Sequence, residues 1–316
     1  MIDEVFRHVY GPVASRRLGS SLGVDLVPFK TCTYDCIYCQ LGRTDNRTLE
    51  RKPHVDIGEV IEELGRTLEA RRVPDYITLS GSGEPTLHSE LGSLISAIRK
   101  LTTVPVAILT NGSLLWRDDV RKDVRLADLV LPSLDAGDET TFHRVNRPHE
   151  GIAFDRMVRG LAQFTREFAG PVWLEVFLLD GITANLDQVA RIAGLAQQIG
   201  PERVQLNTVA RPACEPIARR VDRVRLEVLA AAFQGHVELI SDEGAPSQAL
   251  HAGASARISE ILDLLRRRPC TVQDICAGLS LRPLETTKQL ELLIERGDLE
   301  VIRSNGSVFF EARRER

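Results

Sequence analysis

The chain has 316 residues, with 40 basic against 44 acidic side chains and six cysteines. That length suits one large domain, or a large one with a small companion, at about 100 to 200 residues per domain. Hydrophobic residues at 43% and charged residues at 27% exclude wholesale disorder, and a formal charge of -4 excludes a basic field over the whole molecule, so a nucleic acid would need a local patch.

In chain order, apolar runs rich in β-formers fall at GVDLV (23–27), YITLS (76–80), PVAILT (105–110), LVLPSL (129–134), VWLEVFLL (172–179), VQLNTV (204–209) and HVELI (236–240). Most are too continuously apolar to have a wet face, the pattern of parallel strands covered by helices. Between them, residues 57–69, 91–100, 154–168, 185–198 and 223–233 repeat apolar side chains at the helical spacing, with Asn185 and Asp222 as N-caps. Strand alternating with helix predicts an α/β fold of βαβ units. Six units before HVELI favour a partial (β/α)6 barrel over the closed eight-unit form, which typically needs about 250 residues for the barrel alone. In either form ligands collect at the carboxyl ends of the strands.

The expected domains are a barrel over 1–240, a linker of small and polar residues over 241–255, and a C-terminal domain over 256–316. In the last, helical patterns at 258–267, 272–277 and 283–296 precede LEVIRSNGSVFFE, where Asn305-Gly306 signals a hairpin. Helix, helix, helix and hairpin predict a winged-helix domain. Its charge, 11 basic against 10 acidic groups, disfavours duplex DNA, since Glu285, Glu291 and Glu295 on the recognition helix would meet phosphates.

No run approaches about 18 consecutive apolar residues, and the start MIDEVFRHVYGPVASRRLG lacks the apolar stretch of a signal peptide. The expectation is a cytoplasmic protein with no membrane partner. In a reducing compartment six cysteines point to metal binding or catalysis before disulfides. Three of them, Cys32, Cys36 and Cys39, fall within eight positions just after the first strand, spaced CxxxCxxC. Thiolates are soft ligands for iron-sulfur clusters or zinc. Three thiolates on a cubane cluster leave one iron open for a cofactor or substrate, whereas a zinc site would need completion by His54 or Cys214.

The segment CTYDCIYC, with Tyr38 before the last cysteine, resembles the signature of the radical S-adenosylmethionine (radical SAM) enzymes. The resemblance implies that Cys32, Cys36 and Cys39 bind a 4Fe-4S cluster whose open iron takes the amino and carboxylate groups of S-adenosylmethionine. Electron transfer from the cluster then gives methionine and a 5'-deoxyadenosyl radical. A reductant such as flavodoxin or ferredoxin would supply the electron. Ser82, Gly83 and Glu84 in SGSGEPT are similar to the family's GGEP segment, which receives the methionine amino group. Asn111, Ser133, Asp135 and Asn207, at later strand ends, would serve ribose and carboxylate, with Glu175 a weaker candidate that a buried arginine could pair.

A closer resemblance, carried by SRRLG, SLGVD, CTYDCIYCQLG, SGSGEPTL and VQLNTVARP, is to the branch of the wyosine synthases and their bacterial relatives. Those synthases use a second cluster and a lysine that forms a Schiff base with pyruvate. The 31 residues before Cys32 hold no cysteine, so their tRNA reaction is not carried over. The expected substrate is an RNA or a peptide or protein, with Arg43, Arg47, Arg51, Lys52, Arg144 and Arg147 available to phosphates. Lys30 reads as a surface or cofactor-carboxylate lysine, and Cys214, Cys270 and Cys276 as inert thiols. The competing function is a non-catalytic iron-sulfur sensor coupled to a winged-helix regulator.

Overall fold

A computed structural model describes residues 8–70, 73–240, 258–279, 281 and 283–313. The chain opens with an antiparallel hairpin of β1 (Val9–Ser15) and β2 (Gly19–Val24). Two short strands, β3 (Thr31–Cys32) and β4 (Asn46–Arg47), pair across the base of the cysteine loop. Then follow α1 (Ile57–Ala70), β5 (Tyr76–Leu79), α2 (Leu91–Leu101), β6 (Val106–Thr110), α3 (Asp118–Val124), β7 (Leu129–Pro132) and α4 (Glu139–Val145). The second half adds α5 (Phe154–Glu167), β8 (Trp173–Leu178), α6 (Leu186–Ile199), β9 (Arg203–Thr208), α7 (Arg223–Ala230) and β10 (His236–Leu239).

Pairing is parallel along β2, β5, β6 and β7, and again along β8, β9 and β10. The two groups meet through isolated parallel bridges, Val130 to Val172 and Ser133 to Glu175, and through Leu134 N donating to Glu175 O at 2.8 Å. The result is the mostly parallel α/β sheet expected, with β1 antiparallel at one edge. Alternate side chains of the strands and the inner faces of the helices form one large core that includes Ile77, Leu79, Ile108, Val130, Leu174, Leu206 and Phe164. The two caps proposed from sequence are present, Asn185 accepting from Gln188 N and Asp222 from Arg225 N. β1 has no counterpart among the expected strands, because VYGPVAS carries Gly-Pro in place of a β-forming run and is irregular at that point. The first parallel strand also ends three residues sooner than GVDLV suggests, which frees Asp25 to turn inward.

Beyond the expected linker, which lies outside the described residues, come α8 (Ile258–Arg267), α9 (Val272–Leu279), α10 (Pro283–Glu295) and the hairpin β11 (Leu299–Ser304) and β12 (Ser307–Ala312). Asn305 and Gly306 both take positive φ, 51° and 75°, the requirement of a two-residue turn matched to strand twist. Ile261, Leu264, Leu265, Ile275, Leu290, Leu293 and Leu299 fill a separate core, and Val13 of β1 belongs to it. Arg211, just after β9, fastens the same region by donating to Pro269 O at 3.1 Å and pairing with Asp274 at 3.2 Å. Cys270 and Cys276 are buried here, as expected of inert thiols. Among the described residues, no helix is long and apolar enough to cross a membrane.

Helix α5 sits close against the turn before α3 because Gly160 offers no side chain: a Cβ there would stand 2.4 Å from Trp116 N and 2.6 Å from its Cα. Backbone cannot yield as a flexible side chain can. Gly160→Ala is therefore expected to lower unfolding stability by about 1–3 kcal/mol, the usual cost of overpacking, in urea titrations of the wild type and variant. An unchanged midpoint would contradict the close contact.

Candidate active site

The cysteine loop leaves β2 through Asp25 and turns sharply at Lys30, whose φ of 58° is unusual for a residue with a side chain. Cys32, Cys36 and Cys39 are half-buried and none forms a disulfide. Each sulfur has one side-chain N–H donor, the three coming from different segments, and Cys32 also accepts from the Tyr34 backbone N–H. Lys30 Nζ lies 3.3 Å from Cys39 Sγ, Asn111 Nδ2 lies 3.5 Å from Cys32 Sγ, and Asn146 Nδ2 lies 3.5 Å from Cys36 Sγ. Such donors favour the thiolate over the thiol. Burial acts in the opposite sense, pushing Cys32 up to about 12 with help from the Glu84 charge, and Cys36 well above the ordinary thiol value. A cationic iron centre would overcome that cost, as metal binding generally deprotonates thiols. Among the described residues, no three His, Cys, Asp or Glu side chains converge tightly enough to grip a single ion. A cubane takes its thiolates on separate irons, so this donor set fits a cluster better than zinc.

The loop after β5 approaches the cysteine segment from behind. Gly83 allows this, since a Cβ there would come within 1.8 Å of Thr31 O, the atom that accepts from Glu84 N at 3.1 Å. Glu84 itself is 2% exposed, and both oxygens are engaged. Oε1 accepts from Thr86 N at 3.1 Å, Thr86 Oγ1 at 2.6 Å and Thr110 Oγ1 at 2.6 Å, while Oε2 accepts from Asn111 N at 2.8 Å. The carboxylate expected to receive an ammonium group thus already has four protein donors, with Asn111 N on Oε2. Glu84 bolts the end of β5 to the end of β6. Ser82 is likewise committed, its N donating to Asp25 Oδ1 at 3.0 Å and its hydroxyl to Asp25 Oδ2.

Asp135, just beyond β7, is 4% exposed. It accepts from the Tyr38 hydroxyl, from Asn146 Nδ2 at 2.8 Å and from Phe177 N at 3.1 Å. Tyr38 stacks on Phe177 with ring centroids 4.2 Å apart. Asp135 therefore orients the aromatic residue of the cysteine motif and, through Asn146, the donor to Cys36. Asn207 gives its amide to Glu175 at 2.8 Å, and Glu175 meets Arg17 at 3.0 Å. Burial alone would raise Glu175, but Arg17 and Asn207 outweigh it and hold the carboxyl below its usual value. An arginine partner for Glu175 is thus found, though Arg17 is half-buried. Asn111 and Ser133 remain half-buried at the strand ends.

Lys30 is 3% exposed, which corrects the reading of a surface lysine. Arg51 does not rim the mouth either: its side chain is 7% exposed and clamps Asp119 and Asp123 at 2.9 and 2.5 Å. Arg43 and Arg147 both close on Glu215, at 2.7 and 2.8 Å. Asp25, Thr33 and Asn146 escaped the sequence reading. Only Asn146 left a signal, as the residue between the two arginines of HRVNRPHEG.

Burial raises the Asp135 carboxyl to about 6, against its Tyr38 and Asn146 donors. A carboxyl raised on folding adds most stability when protonated in both states and loses it as pH climbs through the folded value. Relative to Asp135→Asn, the wild type is expected to gain about 2 kcal/mol of unfolding free energy as pH falls from about 7 to about 4. Urea titrations across that window check this. A constant gap would mean that the carboxyl is not held in a costly charged state.

The family model of the radical SAM superfamily matches residues 26–193. A protein of Methanocaldococcus jannaschii named UPF0026 protein MJ1312 is 32% identical over 317 aligned positions, covering 95% of this chain and 94% of that one. A Brachyspira hyodysenteriae protein named GTPase Obg is 40% identical over 293 positions, covering 92% of this chain, and the chain spans 43% of its length. No Gly-Lys pair occurs in these 316 residues, so the phosphate-cradling GxxxxGK[ST] loop of many GTPases is absent from the sequence. Among solved structures, TYW1 with a lysine-pyruvate adduct bound shares the fold at a TM-score of 0.52 and 18% identity, over 70% of this chain and 74% of that one. Enzymes of the matched superfamily use a 4Fe-4S cluster and S-adenosylmethionine. The chain belongs to the radical SAM superfamily and, within it, to the family of the UPF0026 proteins.

Proposed function

We propose that the chain is a radical SAM enzyme in which Cys32, Cys36 and Cys39 hold the cluster, and that its substrate is a peptide or protein. The arrangement of a side-chain N–H donor on each sulfur carries this reading. When bound, the reduced cluster supplies an electron that splits S-adenosylmethionine into methionine and a 5'-deoxyadenosyl radical. Lys30, Asn111 and Asn146 stabilise negative charge on the sulfurs. Tyr38, stacked on Phe177 and tied to Asp135, walls the site against water. Asn111 and Ser133 are the side chains best able to reach the cofactor's ribose or carboxylate. Gly83 brings backbone close, and Ser82, Glu84, Asp135 and Asn207 support the site from behind. A flavodoxin- or ferredoxin-like reductant completes the reaction.

The substrate class rests on charge. Arg43 and Arg147 share Glu215, and Arg51 is buried between aspartates, so three of the cations available to phosphates are committed elsewhere. A charge-paired rim suits a peptide better than a polynucleotide, whose affinity comes mainly from phosphate contacts. The helices and hairpin at 258–312 read as a winged-helix domain, joined to the 1–240 barrel through the 241–255 linker, that presents this substrate.

Anaerobically reconstituted protein given dithionite and S-adenosylmethionine is expected to form 5'-deoxyadenosine, and Cys36→Ala to lose both the cluster absorbance and the product. An intact cluster with no 5'-deoxyadenosine would remove the enzymatic reading and leave the iron-sulfur sensor. With Cys36→Ala as a trap, mass spectrometry and RNA sequencing of the bound material are expected to show an enriched peptide. Enrichment of one RNA instead would reverse the substrate assignment.

A further inference from the structure

The loop at 80–84 is held by more than the barrel. Asp25, 7% exposed, accepts Ser82 N on one oxygen and the Ser82 hydroxyl on the other. Its second oxygen also takes Arg267 Nη1 at 2.8 Å, in an ion pair whose side chains are 16% and 9% exposed. Arg267 is the last residue of α8, some 240 positions away in sequence. The same guanidinium lies over the Tyr10 ring, 4.4 Å from its centroid, and the Tyr10 hydroxyl meets Ser80 Oγ at 3.1 Å. One arginine of the C-terminal segment therefore reaches both serines that flank Gly81. Between them Gly81 has φ of 151°, and a Cβ there would strike the Asp25 carboxylate at 2.5 Å. The loop and the carboxylate are packed so closely that a shift of one moves the other.

We propose that Arg267 is a positioning residue for cofactor binding: through Asp25 and Tyr10 it sets the backbone of the 80–84 loop, so that affinity for S-adenosylmethionine depends on the docked C-terminal segment. This rests on the reading of that loop as a cofactor contact. Asp25 unpaired would be a buried charge with Ser82 as its one remaining donor among the described residues, free to swing and take the loop with it. A charge-assisted pair of this kind acts on the loop only while α8 stays in place. Occupancy of the C-terminal segment by a partner that displaced α8 would weaken cofactor binding without touching a cluster ligand.

The test uses the full reconstituted chain and equilibrium dialysis of S-adenosylmethionine. Arg267→Ala is expected to raise the dissociation constant roughly tenfold or more, the scale of a lost charge-assisted hydrogen bond. The rate at saturating cofactor and the cluster's EPR signal without cofactor are expected to stay at wild-type values. In metal-free protein, hydrogen exchange at the Ser82 amide is expected to accelerate. Arg267→Lys is expected to restore part of the affinity, and Arg266→Ala, one residue away and paired with Asp263 of the same helix, to leave it unchanged. Should Arg267→Ala fail to fold, Asp25→Asn breaks the same pair within the barrel and carries the same expectation. Wild-type affinity in a folded Arg267→Ala or in Asp25→Asn overturns the proposal. Hydrogen exchange separates the two ideas: faster exchange at the Ser82 amide in Arg267→Ala with wild-type affinity means that the loop is no cofactor contact, whereas unchanged exchange and affinity sink the relay alone.

Discussion

The Glu84 carboxylate is the tie on which the carboxyl end of the sheet depends. Its four donors come from the turn after β5, from the last residue of β6 and from the loop beyond. Hydrogen bonds to charged groups are worth about 1.5–3 kcal/mol each, and leaving a buried partner unsatisfied costs on that scale. The tie does more than hold two strand ends. Asn111, fixed by its backbone bond to Glu84, is the residue whose side-chain amide reaches Cys32 and Thr33. Position of the first thiol is thus set from the sheet as well as from its own loop, whose Tyr34 N–H also reaches it. Asp135 repeats the device for Cys36, through Asn146, and Asp25 does so for the loop at 80–84.

Lys30 shows what the site is built to receive. Its backbone sits in a left-handed conformation, its side chain is 3% exposed and its ammonium points at Cys39. A neutral thiol is a weak acceptor and would leave that ammonium poorly compensated, whereas a thiolate is a counter-ion. The strained backbone and buried charge both become reasonable when the sulfurs carry negative charge, as they do on a metal centre.

Much of this was legible beforehand because it follows from periodicity and local chemistry. Continuous apolar runs marked the parallel strands, Asn185 and Asp222 marked helix starts, and the CxxxCxxC spacing placed the thiols in the loop that follows the first parallel strand. What escaped reading depends on contacts distant in sequence. Nothing local in SLGVDLV says that Asp25 will face Arg267, nor does SGSGEPT say that Glu84 will be consumed by Thr110 and Asn111. A motif's residue types were visible, but which of its polar atoms are already satisfied is a tertiary property. β1 was missed for a related reason, since its strand conformation is set by pairing with β2 in spite of Gly11 and Pro12.

That missed strand joins the two parts of the molecule. β1 pairs with β2 on one side, yet Val13 is buried in the core formed by α8, α9, α10 and the C-terminal hairpin, and Tyr10 packs beside it. An edge strand left open is a template for unwanted pairing, and covering it with helices is a common remedy. Here the covering helices also carry Arg267. Shielding the sheet edge and bracing the 80–84 loop are therefore one packing event, because α8 cannot leave Val13 and Tyr10 without also withdrawing the cation from Asp25. The C-terminal segment is on these grounds a structural part of the site, even though none of the three thiols lies within it.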